Sequence, residues 1–195
     1  MALSTYSELQ TSVAAWLSRS DLTALIPDFI RLAEERLNRA LRVRQMEVAL
    51  AETAVADGVI AVPADTCGVK ALWIVGHETA PLASATFDFI KTRGSEGVPA
   101  NYAWQGDSFH FDGAGSVAGV LYTKIPALSD AATTNWLLTA HPSAYLFGTL
   151  AEAFSYARNQ AERDRWDGRF QQAVNDIGGA DMRDRFSGPL TVRVR

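Results

Sequence analysis

Ile26-Pro27-Asp28-Phe29-Ile30-Arg31-Leu32-Ala33-Glu34-Glu35-Arg36-Leu37-Asn38-Arg39-Ala40-Leu41 is the stretch from which the organisation of the chain is read. Phe29, Ile30, Ala33, Leu37 and Leu41 recur at three- and four-residue intervals, the spacing of one helix face, while Asp28, Arg31, Glu34, Glu35 and Arg39 fall outside that stripe. Pro27 suits the first helical turn, where its missing N–H costs nothing. The stretch predicts an amphipathic helix that needs other helices to cover it. Upstream, Thr5-Tyr6-Ser7-Glu8 reads as a capping box. A first helix runs from it to about Ser18, with Leu9, Val13, Trp16 and Leu17 on its inner face, and Ser20-Asp21 breaks the pattern.

Downstream of Gln45 the period changes to two. Met46, Val48 and Leu50 alternate with Glu47, Ala49 and Ala51, and Asp57-Gly58 offers a turn before Val59 to Val62. Val69 to Val75, Asn101 to Trp104, Phe109 to Phe111 and Val117 to Ile125 are further strands, and Phe87 to Arg93 forms one or two helical turns. Gln105-Gly106-Asp107 and Gly113-Ala114-Gly115 mark chain reversals. Helical periodicity returns after Pro142 with Tyr145, Leu146, Thr149, Leu150, Ala153, Phe154 and Ala157. After a break at residues 158 to 163, Trp166, Phe170, Ala173, Val174 and Ile177 make a last stripe that Gly178-Gly179 should stop.

The expected class is α+β. A helix pair (1–44), a β-rich insertion (45–141) and a second helix pair (142–179) form a four-helix bundle with a β subdomain, followed by an extended C-terminal arm (180–195). Phe186, Leu190, Val192 and Val194 are apolar anchors in that arm, the last three alternating with Thr191, Arg193 and Arg195. This pattern suits an added edge strand on a partner, and a frayed terminus is the plain alternative.

With 48% apolar and 21% charged residues, the 195-residue chain is neither disordered nor low in complexity. Its single cysteine excludes an internal disulfide framework, and nothing in the composition requires an oxidising compartment. Met1-Ala2-Leu3-Ser4-Thr5 lacks the basic and apolar regions of a secretory signal, and no apolar run reaches membrane-spanning length, so a cytoplasmic protein is expected. The net charge of −4 is uneven: residues 45 to 157 carry three Lys and one Arg against eleven acids, whereas residues 158 to 195 carry eight Arg against six. Fifteen of the 18 basic residues are Arg, which suits interfaces; a GC-rich genome produces the same bias.

No catalytic residue, cofactor site or metal site emerges. His77, His110 and His141 share no ligand spacing, Cys67 sits in no nucleophile signature, and Asp107 and Asp112 read as solvated turn acids. The glycines of Gly113-Ala114-Gly115-Ser116-Val117-Ala118-Gly119 lack a following Lys-Ser/Thr and lead into a strand, which excludes a phosphate loop. A small hydrolase using Cys67, His77 or His110 is the competing enzyme reading. Arg36, Arg39, Arg42 and Arg44 form the densest basic run, open to intersubunit ion pairing, nucleic-acid contact or plain solvation.

Ser20-Asp21-Leu22, then Ile26-Pro27-x-Phe29-Ile30-Arg31-Leu32-Ala33-Glu34-x-Arg36-Leu37-Asn38-Arg39, later Val62-Pro63-Ala64-Asp65, and Tyr122-x-x-Ile125-Pro126-Ala127-Leu128-Ser129 with Asn135-Trp136-Leu137-Leu138 occur in an order and spacing that resemble the head-to-tail adaptor, or connector, proteins of tailed double-stranded-DNA bacteriophages. The resemblance runs from about residue 5 to residue 178, and Tyr145-Leu146-Phe147 with Trp166 is similar to that family's closing helix pair. It implies a virion structural protein without enzymatic activity, forming a ring of about twelve copies under the portal protein in the neck. That ring would extend the channel through which genomic DNA passes without sequence-specific binding, and would dock a tail or nozzle protein. A tail-completion or tail-terminator protein is the alternative within this class. Arg183, Arg185, Phe186, Leu190, Val192, Arg193, Val194 and Arg195 are then the candidate portal or neighbour contacts, and Arg36, Arg39, Arg42 and Arg44 the candidate contacts between copies.

Overall fold

The computed structural model describes residues 3–55, 57–94 and 97–187. In chain order the elements are α1 (Tyr6–Leu17), α2 (Ile26–Ala40), β1 (Glu47–Ala54), β2 (Val59–Ala61), β3 (Thr66–Ile74), β4 (Ala83–Ser84), α3 (Phe87–Arg93), β5 (Asn101–Gln105), β6 (Ser108–Phe111), β7 (Ser116–Thr123), α4 (Trp136–Ala140), α5 (Pro142–Tyr156) and α6 (Gln160–Arg185). The class is α+β, with six α-helices and two sheets among the described residues. Two compact units divide the chain, one made of Met1–Gln45 with Ile125–Arg195 and the other of Met46–Lys124.

In the helical unit α1 starts at the expected capping box: Thr5 Oγ1 accepts from Glu8 N and the Glu8 carboxylate accepts from Thr5 N. Pro27 lies in the first turn of α2. Helix α5 packs against α1, α2, α4 and α6, and its Ala144, Tyr145, Leu146, Thr149, Leu150 and Ala153 are all buried. Such a helix is apolar around most of its circumference because neighbours cover most of it. Gly148 sets its closest approach. A Cβ there would stand 3.0 Å from the Phe170 ring on α6 and 3.2 Å from Ala33 Cβ on α2.

Three expectations about this unit are corrected. Helix α6 runs through Gly178-Gly179 to Arg185, so residues 180–185 are helical rather than an extended arm; residues 188–195 lie outside the described residues. Each helical glycine costs about 1 kcal/mol relative to alanine. That cost is opposed one turn beyond Ile177, where Asp181 accepts from Arg44 N (3.0 Å), Arg44 Nε (2.9 Å) and Arg185 Nε (2.6 Å). Residues 125–141, read as part of the insertion, belong to the helical unit and include α4, capped by Asn135 Oδ1 on Leu138 N. Trp16, placed on the inner face of α1, is 50% exposed.

The second unit holds a three-stranded sheet in the order β1-β7-β3, antiparallel throughout, and a four-stranded sheet in the order β2-β6-β5-β4. β5 and β6 form a hairpin closed by Gly106-Asp107, as the turn signal predicts. Asp57-Gly58 also turns the chain, but it carries it from one sheet to the other, since β1 pairs with β7 and β2 with β6. Val55, Ile60, Leu72, Ile74, Phe109, Phe111, Val117 and Leu121 fill the core between the sheets. No helix of the described residues is long and apolar enough to cross a membrane.

Candidate functional site

The most distinctive residues of the α2 stretch turn inward. Glu34, expected on the solvent face, is 6% exposed. Its Oε1 accepts from Leu128 N (2.8 Å) and from the Tyr145 hydroxyl (3.3 Å), while Asn135 Nδ2 donates to the Tyr145 hydroxyl and to Pro126 O, each at 2.7 Å. One turn on, Asn38 Oδ1 accepts from Ile125 N at 2.8 Å. Glu34 and Asn38, four residues apart on one helix face, thus clamp residues 125–128 by their main chain. Burial raises the Glu34 carboxyl above its ordinary value, against the donors that favour its charged form, and burial likewise pushes the Tyr145 phenol up.

Arg36 points to the seam of α2, α5 and α6. Its guanidinium donates to Glu152 (2.8 Å) and to Asp167, and lies 4.4 Å from the Phe170 ring centroid. A planar fork can meet two carboxylates and a ring face at once, which an ammonium cannot. In this chain, therefore, Glu34, Arg36 and Asn38 of the motif hold the helical unit together.

A different cluster surrounds Trp166, itself 6% exposed and donating from Nε1 to Glu162 at 3.1 Å, and shows Trp16, Arg165 and Arg169 to solvent. Trp16 of α1 meets Trp166 of α6 edge-on (centroids 5.2 Å apart), Phe147 of α5 lies 5.7 Å from Trp166, and the Arg169 guanidinium sits 4.9 Å from Trp166 and 5.8 Å from Phe147. Arg165 adds a second cation 5.5 Å from Trp166, paired with Glu162 at 3.6 Å, which leaves Arg169 as the guanidinium open to a partner. Among the described residues Arg169 meets no carboxylate within ion-pair distance. A cavity of about 470 Å3 adjoins this patch, lined among others by His141, Phe147, Arg169, Asp176 and Ile177. Exposed guanidinium planes backed by indole and phenyl rings are equipped to receive a carboxylate or an aromatic side chain from another protein.

The four arginines singled out in the sequence do not converge. Arg36 is internal, Arg39 is exposed, Arg42 donates to the carbonyls of Asn38 and Leu41, and Arg44 pairs with Asp181 (2.9 Å) and Asp184 (2.7 Å). At the end of α6, Arg183 and Phe186 are exposed and Arg185 pairs with Asp181. Leu190, Val192, Arg193, Val194 and Arg195 lie outside the described residues.

In the β-rich unit Cys67 is on β3 and His110 on β6, in different sheets, and His77 is exposed in the turn after β3. Asp107 is an exposed turn acid, but Asp112 is buried, contrary to expectation. Burial alone would raise its carboxyl, yet donation from Asn101 Nδ2 (2.6 Å), Asn101 N and Ala100 N (2.9 Å each) holds it below its ordinary value. Among the described residues no three His, Cys, Asp or Glu side chains are grouped to hold a metal ion.

The aromatic-arginine patch went unnoticed in the sequence, although Trp166, Arg165 and Arg169 at spacings of one and three residues on a helix were a signal. Compared with known proteins, the chain matches the family described as SU10 adaptor protein over residues 4–193. No curated protein matches it. A match over nearly the whole chain, joined to an α+β fold in which the motif residues Glu34, Arg36 and Asn38 hold the helical unit together, places this protein in the SU10 adaptor family of phage head-to-tail adaptors.

Proposed function

We propose that this chain is the repeating subunit of an adaptor ring between portal and tail. About twelve copies surround a channel that continues the portal's, and the ring offers its far side to a tail or nozzle protein. The helices α1, α2, α5 and α6 act as a four-helix bundle and carry the contacts between copies. The observation that carries this reading is the patch of Trp16, Trp166, Phe147, Arg165 and Arg169, because tryptophan and arginine together are the commonest anchors of protein interfaces. One patch on one flank, meeting a different surface of the next copy, gives a heterologous contact that closes by rotation.

The β-rich unit has four bases and nine acids in residues 46–124, so it repels phosphate and suits a channel or tail-facing position past which DNA must slide. Arg183 and Phe186, exposed at the end of α6, together with the residues beyond, face the portal or a neighbour. The role is structural, in the neck of the virion, with assembly in the host cytoplasm and no chemistry of its own.

Mixing purified subunit with portal particles and measuring mass and symmetry tests this. The expected result is a ring in register with the portal. A double variant Trp16→Ala, Arg169→Ala should keep the helical circular-dichroism spectrum and lose ring formation. Binding to tail components alone would instead support a tail-terminator, and failure to bind either would overturn the adaptor ring.

A further inference from the structure

The three-stranded sheet has two edges, and they are finished differently. On the β3 side the chain returns: Pro81 bridges Trp73, and Leu82 N donates to Leu72 O at 2.7 Å. On the other side, β1 pairs with β7 and has no further partner strand among the described residues. Val48 is 50% exposed, and Ala49, Ala51 and Glu52 are exposed too. An edge without lysine or proline, uncharged from Val48 to Ala51 and regular up to an irregularity between Leu50 and Thr53, is an open template for another strand.

The chain also carries a segment with the matching pattern. Beyond Ser187, the last described residue, come Gly188-Pro189 and then Leu190-Thr191-Val192-Arg193-Val194-Arg195, three apolar residues alternating with Thr and Arg at a period of two. Eight residues reach at most about 26–29 Å, and six in extended form span about 20 Å, within the length of β1. Charge is complementary as well. Residues 188–195 hold two arginines and no acid, whereas β1 holds no base and two acids, of which Glu52 is exposed and Glu47 already accepts from Lys70 of β3 at 2.6 Å.

We propose that residues 190–195 of one copy add as a strand to the outer edge of β1 in the neighbouring copy. The inference rests on the ring reading and names one of the contacts that close the ring. Donor and acceptor are different surfaces of one chain, so the exchange passes from copy to copy and ends only when the circle closes. Main-chain hydrogen bonds supply affinity, and the alternation of Leu190, Val192 and Val194 with Thr191, Arg193 and Arg195 sorts the apolar and polar residues to opposite faces of an added strand. Ordering six residues costs backbone entropy. Two copies meeting in solution offset that poorly, but copies already gathered on a portal meet at high effective concentration. Strand exchange therefore accompanies assembly and is not a property of the isolated subunit.

The test uses the full chain with Cys67→Ser as background. One batch carries Ala49→Cys, a second, differently tagged batch carries Val192→Cys, and the two are mixed, assembled on portal particles and oxidised. A disulfide joining the two tags, formed on assembly and absent from unassembled mixtures, is expected; no mixed disulfide in assembled rings would overturn the proposal. A chain with both substitutions should give a ladder of linked copies. A bond formed only within each chain would overturn the proposal by placing the tail on its own sheet. Independently, Val192→Pro with Val194→Pro, which removes the main-chain donors of these two residues, should weaken ring assembly at least tenfold. Rings that form unchanged without residues 188–195 would overturn the strand exchange and leave the ring reading standing. If the unsubstituted chain formed no ring on portals, both would fall together.

Discussion

Replacing Glu34 by alanine should loosen the helical unit through a segment more than ninety residues away in sequence. The substitution removes the acceptor for Leu128 N, and an unpaired buried N–H costs about 1–3 kcal/mol. The Tyr145 hydroxyl keeps Asn135 as a donor, so its loss is smaller, and removing a buried carboxylate returns part of its desolvation penalty. A net loss of about 2 kcal/mol is expected, or about 4–8 °C in Tm for a chain of this size. Glu34→Gln is the informative partner. Its amide oxygen, in the place of Oε1, still accepts from both Leu128 N and the Tyr145 hydroxyl, so it should match or exceed the parent's stability at neutral pH. The sign with pH follows from burial raising the Glu34 carboxyl. The stability this group contributes is whole below the unfolded value near 4.3 and is lost as pH rises through the folded value. The advantage of the Gln variant over the parent should therefore be present at pH 7 and shrink towards pH 4. Urea unfolding followed by tryptophan fluorescence at the two pH values measures it. If Glu34→Gln were as damaging as Glu34→Ala at pH 7, the charge itself and not the acceptor would hold the clamp, and the reasoning would fail.

Arg36→Ala should cost about 2–3 kcal/mol in the same assay because two carboxylates lose a charged donor, and Arg36→Lys should restore less than half of it for want of a fork. Gly148→Ala should cost about 1–3 kcal/mol by pressing on Phe170 and Ala33, with Phe170→Leu in the same chain recovering part, as differential scanning calorimetry would show. Asp181 behaves oppositely to Glu34 with pH. Burial pushes its carboxyl up, but donors from Arg185 and Arg44 hold it below its ordinary value, so its contribution is present above about pH 3.9 and lost as pH falls through the folded value. Asp181→Asn should let residues 181–185 exchange their amide hydrogens faster at neutral pH, and should flatten that part of the acid dependence.

Periodicity located most elements because their determinants are local. Capping at Thr5, Pro27 at a helix start and alternation in 101–111 are settled within a few residues, and the structure places α1, α2, β5 and β6 there. What escaped depends on partners far along the chain. Glu34 looks solvent-facing until Leu128 and Tyr145 are beside it, and Gly178-Gly179 looks like a stop until Asp181 meets Arg44. Asp112 passes for a turn acid until Ala100 and Asn101 turn their N–H groups towards it. Each is a polar side chain whose burial is made tolerable by non-local donors, and no window of sequence contains both halves. The outward patch was hidden for another reason: Trp16 and Phe147 reach Trp166 from two other helices, so the cluster exists only once α1, α5 and α6 are assembled.

The β-rich unit begins and ends on paired strands. Glu47 stands opposite Tyr122, and the Thr123 hydroxyl donates to Met46 O at 3.2 Å, so the outgoing and returning chains leave side by side. A segment whose two ends lie together behaves as a cassette. It can be lengthened, trimmed or exchanged for another β module without re-threading a single helix, while Glu34 and Asn38 hold the returning chain at Ile125 and Leu128. A chain built this way can keep one helical frame and vary residues 46–124 while leaving that frame alone.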